Sequence, residues 1–355
     1  MATKRSKKRL SFTITIIMAQ SIAPNTIQRD MPYRYSNGHS DSLYISNSKI
    51  VISGDRIKEV DFIGVFSNYK SEIYSQIVKS IIYYFCVGGF ICKIKSIELY
   101  NKTGEQIGEF EDGTINQLSK KFIECQFLKN INLEKLNVIF EANKKAGSYY
   151  YSLSYIIRAY CINNPYDSFE KLWKAFNSIY KEVSNSEQDL AGQSKIRDLM
   201  INRPQDFPEI NALVTGLTAK QIRDKVKWFE MLKNDYNTQA KTEAFKSFII
   251  RNEDFRLMTI FDETLSFRED FLTQHGSYNL VKNHIDNHIA LQTINNMHVA
   301  ATLCIKYMYF IRNKSIHAEH ADGAFRLFPH NKEDKSVRWC SSLLTALLID
   351  LINSN

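Results

Sequence analysis

The residues with the most chemical potential in this chain lie in one stretch, Phe310-Ile311-Arg312-Asn313-Lys314-Ser315-Ile316-His317-Ala318-Glu319-His320. On a helix turning ~100° per residue, Arg312, Asn313, His317 and His320 project near ~0°, ~100°, ~140° and ~80°, so a guanidinium, an amide and two imidazoles share one face. Groups of this kind are costly to bury without partners. A guanidinium can hold phosphate oxygens in bidentate fashion, and an imidazole that titrates near neutrality can move a proton. RNA brings its own nucleophile, the 2′-hydroxyl, so transesterification needs little more than this pair. No carboxylate pair or His/Cys/Asp set nearby has clear metal-ligand spacing, so neither a two-metal nuclease nor any metal or cofactor is expected.

An arginine followed within a few residues by a histidine is a loose pattern, and Arg34…His39 and Arg268…His275 come close to it. The first contains Asn37-Gly38 and reads as a turn, and the second runs straight into Gly276. Arg312 alone is followed by Asn and preceded by a strongly apolar segment. On the residues alone, a polar helix end whose side chains are satisfied internally remains the stronger reading. His284 and His288 stand at i, i+4 but lack both the Glu of the zinc-protease motif and a third ligand, so they are expected to be surface histidines. The many Tyr and Phe residues are expected in packing rather than in base stacking, because Tyr149-Tyr150-Tyr151 and Tyr307…Tyr309 lie in apolar helical contexts.

The elements that would position these groups follow from the patterning. The chain has 355 residues, above the ~250–300 at which one core stops growing, so two domains are expected. Its 44% apolar and 24% charged residues are those of an ordinary globular protein rather than a disordered or fibrous one. The net charge of +8 includes Lys4, Arg5, Lys7, Lys8 and Arg9, leaving little basicity elsewhere, so charge alone does not mark a nucleic-acid binder. The six cysteines lack C-x-x-C spacing and read as buried reduced thiols. Leu10–Ala19 follows the basic stretch as a secretion signal would, but Ser11, Thr13 and Thr15 alternate with Phe12, Ile14 and Ile16, the period of a half-buried strand. A cytoplasmic location is expected. The longest apolar runs, Ile81–Cys92 and Val299–Ile311, fall short of the ~20 residues a membrane span needs.

The fold class expected is α+β, with a mixed N-terminal domain over 1–146 and a helical domain over 147–355. In the first, hairpins are expected at Leu43–Ile45/Lys49–Ile52 and at Phe90–Tyr100/Gln106–Phe110, a strand at Asp61–Phe66, and a helix over Ser71–Phe85 stopped by Gly88-Gly89. In the second, helices are expected over Tyr149–Ile162, from Asp167 with Glu170 closing a capping box, and at about 187–201, 218–234, 239–252, 287–320 and 336–352. Phe169, Leu172, Trp173, Phe176, Ile179, Tyr180 and Val183 form one apolar stripe, most simply core.

Two of these features resemble a known family. The string RNKSIH, Arg312-Asn313-x-x-x-His317 near the end of a long helix, resembles the motif of the HEPN superfamily of ribonucleases. FEKLWKAFNSIY, Phe169–Tyr180, is similar to the helix carrying a Leu-Trp pair in Apea-like HEPN domains. The resemblance covers 147–355, with an elaboration at about 185–285, and points to proteins of bacterial defence against phage. It implies a helical bundle that works as a homodimer and a metal-independent endoribonuclease that cuts RNA. His317 would be general base to the 2′-hydroxyl or general acid to the departing 5′-oxygen, Arg312 would steady the transition state, and Asn313 would bond phosphate or orient the histidine. Lys314 and Arg326 would contact RNA backbone, and His320, outside the motif, is a weaker RNA-binding candidate. The expected products are a 2′,3′-cyclic phosphate and a 5′-hydroxyl.

The rival expectation is a non-catalytic module that dimerises or binds phosphate or nucleotide. The N-terminal domain carries no motif, which leaves it open as sensor, substrate selector or partner surface for a phage-derived or host trigger. No membrane partner is expected.

Overall fold

The computed structural model describes residues 9–23, 26–33, 38–233, 238–316 and 331–355. The chain is α+β: antiparallel strands come first and helices follow. It divides into two compact units, one of Met1–Asn163 with Asn177–Glu182 and Asn355, the other of Asn164–Phe176 with Val183–Ser354.

In the first unit the strands are β1 (Leu10–Met18), β2 (Ile27–Pro32), β3 (Ser40–Ser46), β4 (Lys49–Arg56), β5 (Phe90–Ile91), β6 (Ile94–Tyr100), β7 (Gln106–Glu111) and β8 (Ile123–Glu124). Six of them form one antiparallel sheet in the order β2-β3-β4-β1-β6-β7. The segment that mimics a secretion signal is thus an interior strand, with Ile14 opposite Ile52 on one side and Leu99 on the other. Its even-numbered residues Phe12, Ile14, Ile16 and Met18 are buried, as the alternation predicts. The β3–β4 hairpin turns at Asn47, which takes φ 50°. Asp41, fully buried on β3, receives both terminal nitrogens of Arg56 at 2.8 and 2.9 Å. It lies so close to the Gly54 backbone that a Cβ there would come within 1.8 Å of its Oδ1.

The helix Glu72–Gly88 packs against β4. Ser71 accepts from the Tyr74 amide at its start, and Gly89 ends it in the left-handed region at φ 67°. Two expectations for this unit are corrected. Residues 62–67 are helical rather than extended, because Asp61 caps the Gly64 amide at 2.9 Å and Phe62 and Val65 turn inward together. A short apolar run does not by itself distinguish strand from helix. The second hairpin starts later, at Ile94, since Phe90–Ile91 pairs with β8 instead.

The second unit is helical. The helix Pro165–Ser184, whose residues up to Phe176 belong to this unit, begins two residues before the expected start, and no Asp167–Glu170 capping box opens it. Asn164 accepts from the amides of Tyr166 and Asp167 at 2.9 and 3.4 Å, and Pro165 takes the first helical position, where a missing N–H costs nothing. Six of the seven stripe residues are buried and Val183 is half-buried.

The helix expected over 218–234 is two, Ala219–Lys225 and Trp228–Lys233, because Val226 is extended and the Lys227 amide is donated to the Tyr307 hydroxyl at 2.8 Å. The helix expected over 287–320 is likewise broken. Tyr278–Ala290 ends before Gln292, which has φ 50°, and the Asn295 amide is donated to buried Asp254 at 2.7 Å before a new helix starts at Asn296. That helix runs on through a π-helical segment, Thr302–Tyr307, into Met308–Ile316. The terminal helix Lys332–Ser354 packs along the π segment and against Pro208–Val214. Among the described residues no helix is long and apolar enough to cross a membrane.

Candidate functional site

The motif helix Met308–Ile316 carries Arg312, Asn313 and Lys314 on its last turns. The apolar residues before them explain its position: Leu303, Cys304, Tyr307 and Met308 are almost fully buried. π-helical turns are rare inside α-helices and cluster at functional sites, and this one comes just before the motif. Nothing in the sequence announces it.

Arg312 is half-buried. Its Nη1 donates to the Asn313 side-chain oxygen at 2.9 Å, while its Nε is buried and has no hydrogen-bond partner among the described residues. A buried unpartnered donor costs about 1–3 kcal/mol, which an anion accepting from it would recover. The neighbouring helix is Pro165–Ser184: the rings of Trp173 and Tyr309 lie 6.2 Å apart, so the Leu172-Trp173 segment and the arginine segment are brought together. Lys314 lies half a turn from Arg312, its ammonium 5.8 Å from the Phe310 ring centre. It lines a narrow cleft with Tyr166, Lys227, Glu230 and Glu333, and Arg312 does not line that cleft. His317, His320 and Arg326 lie outside the described residues.

In the sequence Glu170 stands out only as part of a capping box, not at this site. It receives Lys174 at 2.6 Å, and that hydrogen bond, helped by the charges of Lys171 and Arg312, holds its carboxyl below the usual range despite partial burial. The only sequence signal was the pair of lysines flanking Leu172-Trp173.

Elsewhere, arginines that wall cavities are already engaged. One cavity, of 560 Å³, is lined by Arg9 and Arg56, which pair with Asp55 and Asp41. Another, of 590 Å³, is lined by Arg256, whose nitrogens donate to Asp254, Asn296 and the carbonyls of Val214 and Leu217. Arg268 of the second loose Arg…His pair is buried; Arg34 of the first lies outside the described residues.

His284 and His288 are half-buried rather than on the surface. Their rings are 4.6 Å apart, and they bond the Asn252 carbonyl at 2.7 Å and the Thr293 hydroxyl at 3.2 Å. Among the described residues no group of three His, Cys, Asp or Glu could hold a metal ion. The six cysteines are free thiols, and all but half-buried Cys161 are buried. Tyr149 and Tyr307 are packed, whereas Tyr151 is exposed.

Comparison with family models, with curated proteins and with solved structures finds no match.

Proposed function

We propose that this protein is a metal-independent endoribonuclease of the HEPN type. The observation that carries the reading is Arg312: a guanidinium with a buried donor left unpartnered by the described residues, oriented by Asn313, on a helix beside the Leu172-Trp173 segment. Among the described residues the carboxylate that feels the charge of Arg312 is Glu170, which is itself bonded to Lys174.

In the reaction, the 2′-hydroxyl attacks the adjacent phosphorus and the 5′-oxygen departs with a proton. Arg312 binds the non-bridging oxygens where negative charge accumulates, and His317 takes the hydroxyl proton or supplies the one for the leaving group. A second copy of the chain in a homodimer would supply the other proton-transfer group. A toxic role in defence against phage, inside the cytoplasm and set off by a phage-derived or host trigger, rests on the family resemblance alone.

Purified protein in EDTA should cleave RNA and leave DNA of the same sequence intact. Arg312→Ala and His317→Ala should each abolish cleavage while the folded state is retained. Cleavage that requires magnesium or survives His317→Ala contradicts the mechanism. The amide-to-guanidinium contact also fits the rival, a phosphate- or nucleotide-binding module without catalysis, in which phosphate binding depends on Arg312 and no RNA is cut.

A further inference from the structure

The motif helix and the helix Pro165–Ser184 run antiparallel, as successive turns show. Trp173 meets Tyr309. One turn back on the first helix and one turn on along the second, Glu170 lies within the electrostatic reach of Arg312. A further turn places Tyr166 in the cleft lined by Phe310 and Lys314. This alignment gathers Lys171, Lys174 and Arg312 around one carboxylate, three cations to one anion.

Lys174 is 44% exposed, Lys171 is half-buried, and both sit on the turn that carries Glu170. A phosphate arriving at Arg312 meets the Glu170 carboxylate as a like charge and the two ammonium groups as further attractive sites. A strand carries phosphates on either side of the one at Arg312, and these can meet the two lysines. Lysine is suited to such a track because it acts as a point charge that tolerates any sequence.

Resting on the nuclease reading, we infer that Lys171 and Lys174 continue the anion site of Arg312 along the helix Pro165–Ser184, binding phosphates that flank the scissile one in a single-stranded RNA. Glu170 is the internal competitor that the RNA displaces from Lys174.

The test uses the full chain carrying His317→Ala, a fluorescently labelled RNA dodecamer and a nucleoside monophosphate, with affinities measured across a salt series. Lys171→Gln and Lys174→Gln should each weaken dodecamer binding several fold and flatten the slope of log affinity against log salt by ~0.7. Glu170→Gln should tighten dodecamer binding, Lys174→Arg should preserve it, and monophosphate binding should respond to neither lysine variant. Unchanged urea midpoints confirm that these surface variants fold. Dodecamer binding with an unaltered salt slope in both lysine variants, or weakened by Glu170→Gln, overturns the inference while the nuclease reading stands. Absence of any RNA binding by the parent protein overturns both.

Discussion

Arg312 and Asn313 are consecutive residues whose side chains bond to each other, Nη1 to Oδ1 at 2.9 Å, across the ~100° that separates them on the helix. The amide holds the guanidinium without neutralising it. That distinction predicts a graded series. Asn313→Ala should lower RNA cleavage by roughly fivefold, the worth of one hydrogen bond of about 1 kcal/mol. Asn313→Asp, which places a carboxylate at the same distance, should lower it by substantially more because Arg312 then has an internal counter-ion. Initial cleavage rates for the three proteins check the order.

In the sheet, Gly54 leaves room for the buried Asp41–Arg56 pair. Gly54→Ala drives a methyl into the Asp41 carboxylate, and the variant should lose about 1–3 kcal/mol of stability. Urea denaturation measures this loss; an unchanged midpoint would show that the pair does not depend on the close approach.

His298 is buried with its Nδ1 accepting the Glu253 amide at 2.9 Å, which requires that nitrogen to carry no proton. Burial lowers its pKa, Glu253 and Asp254 oppose the shift, and His288 adds to it. The unfolded chain therefore takes up a proton near pH ~6.5 that the folded chain resists, so this contribution to stability is complete above ~6.5 and is lost as pH falls below it. His298→Asn keeps an acceptor but does not titrate. The stability gap between the native protein and this variant should narrow between pH 8 and pH 5.5; a constant gap in urea midpoints refutes the assignment.

Asp350 behaves in the opposite sense. Its carboxyl accepts the amides of Glu209 and Ile210 at 3.1 and 2.9 Å, yet burial pushes it up to about 7. Its contribution is complete below the unfolded value near ~3.9 and declines as pH rises through 7. Asp350→Asn should gain stability relative to the native protein between pH 5 and pH 8, measured by thermal unfolding. Asp350→Ala should cost about 1–3 kcal/mol, because it leaves the amides of Glu209 and Ile210 without their acceptor.

Much of this architecture was legible in the sequence because the signals were local. Alternation within Leu10–Ala19 identified the strand Leu10–Met18, the paired segments Leu43–Ile45 and Lys49–Ile52 marked a hairpin, and Gly88-Gly89 ended a helix. The misreadings came where a distant partner decides. Val226 breaks a helix whose next amide is taken by Tyr307, and the Asn295 amide goes to Asp254, contacts that no window of neighbouring residues contains. At the candidate site, Arg312 and Asn313 could be placed on one face by angle alone. Glu170, Lys171 and Lys174 could not, because only the antiparallel packing of two helices far apart in the chain brings them to the arginine.

In the proposed reaction a phosphate held by Arg312 is attacked by the neighbouring 2′-hydroxyl. The most direct test is an RNA oligonucleotide and a matched copy with one 2′-deoxy nucleotide 5′ of the cleaved phosphate, incubated with the protein in EDTA and read by mass spectrometry. The first should give fragments ending in a 2′,3′-cyclic phosphate and a 5′-hydroxyl, and the second should keep the bond at that position intact. Cleavage of the 2′-deoxy position, or 5′-phosphate ends from either substrate, would contradict this reaction.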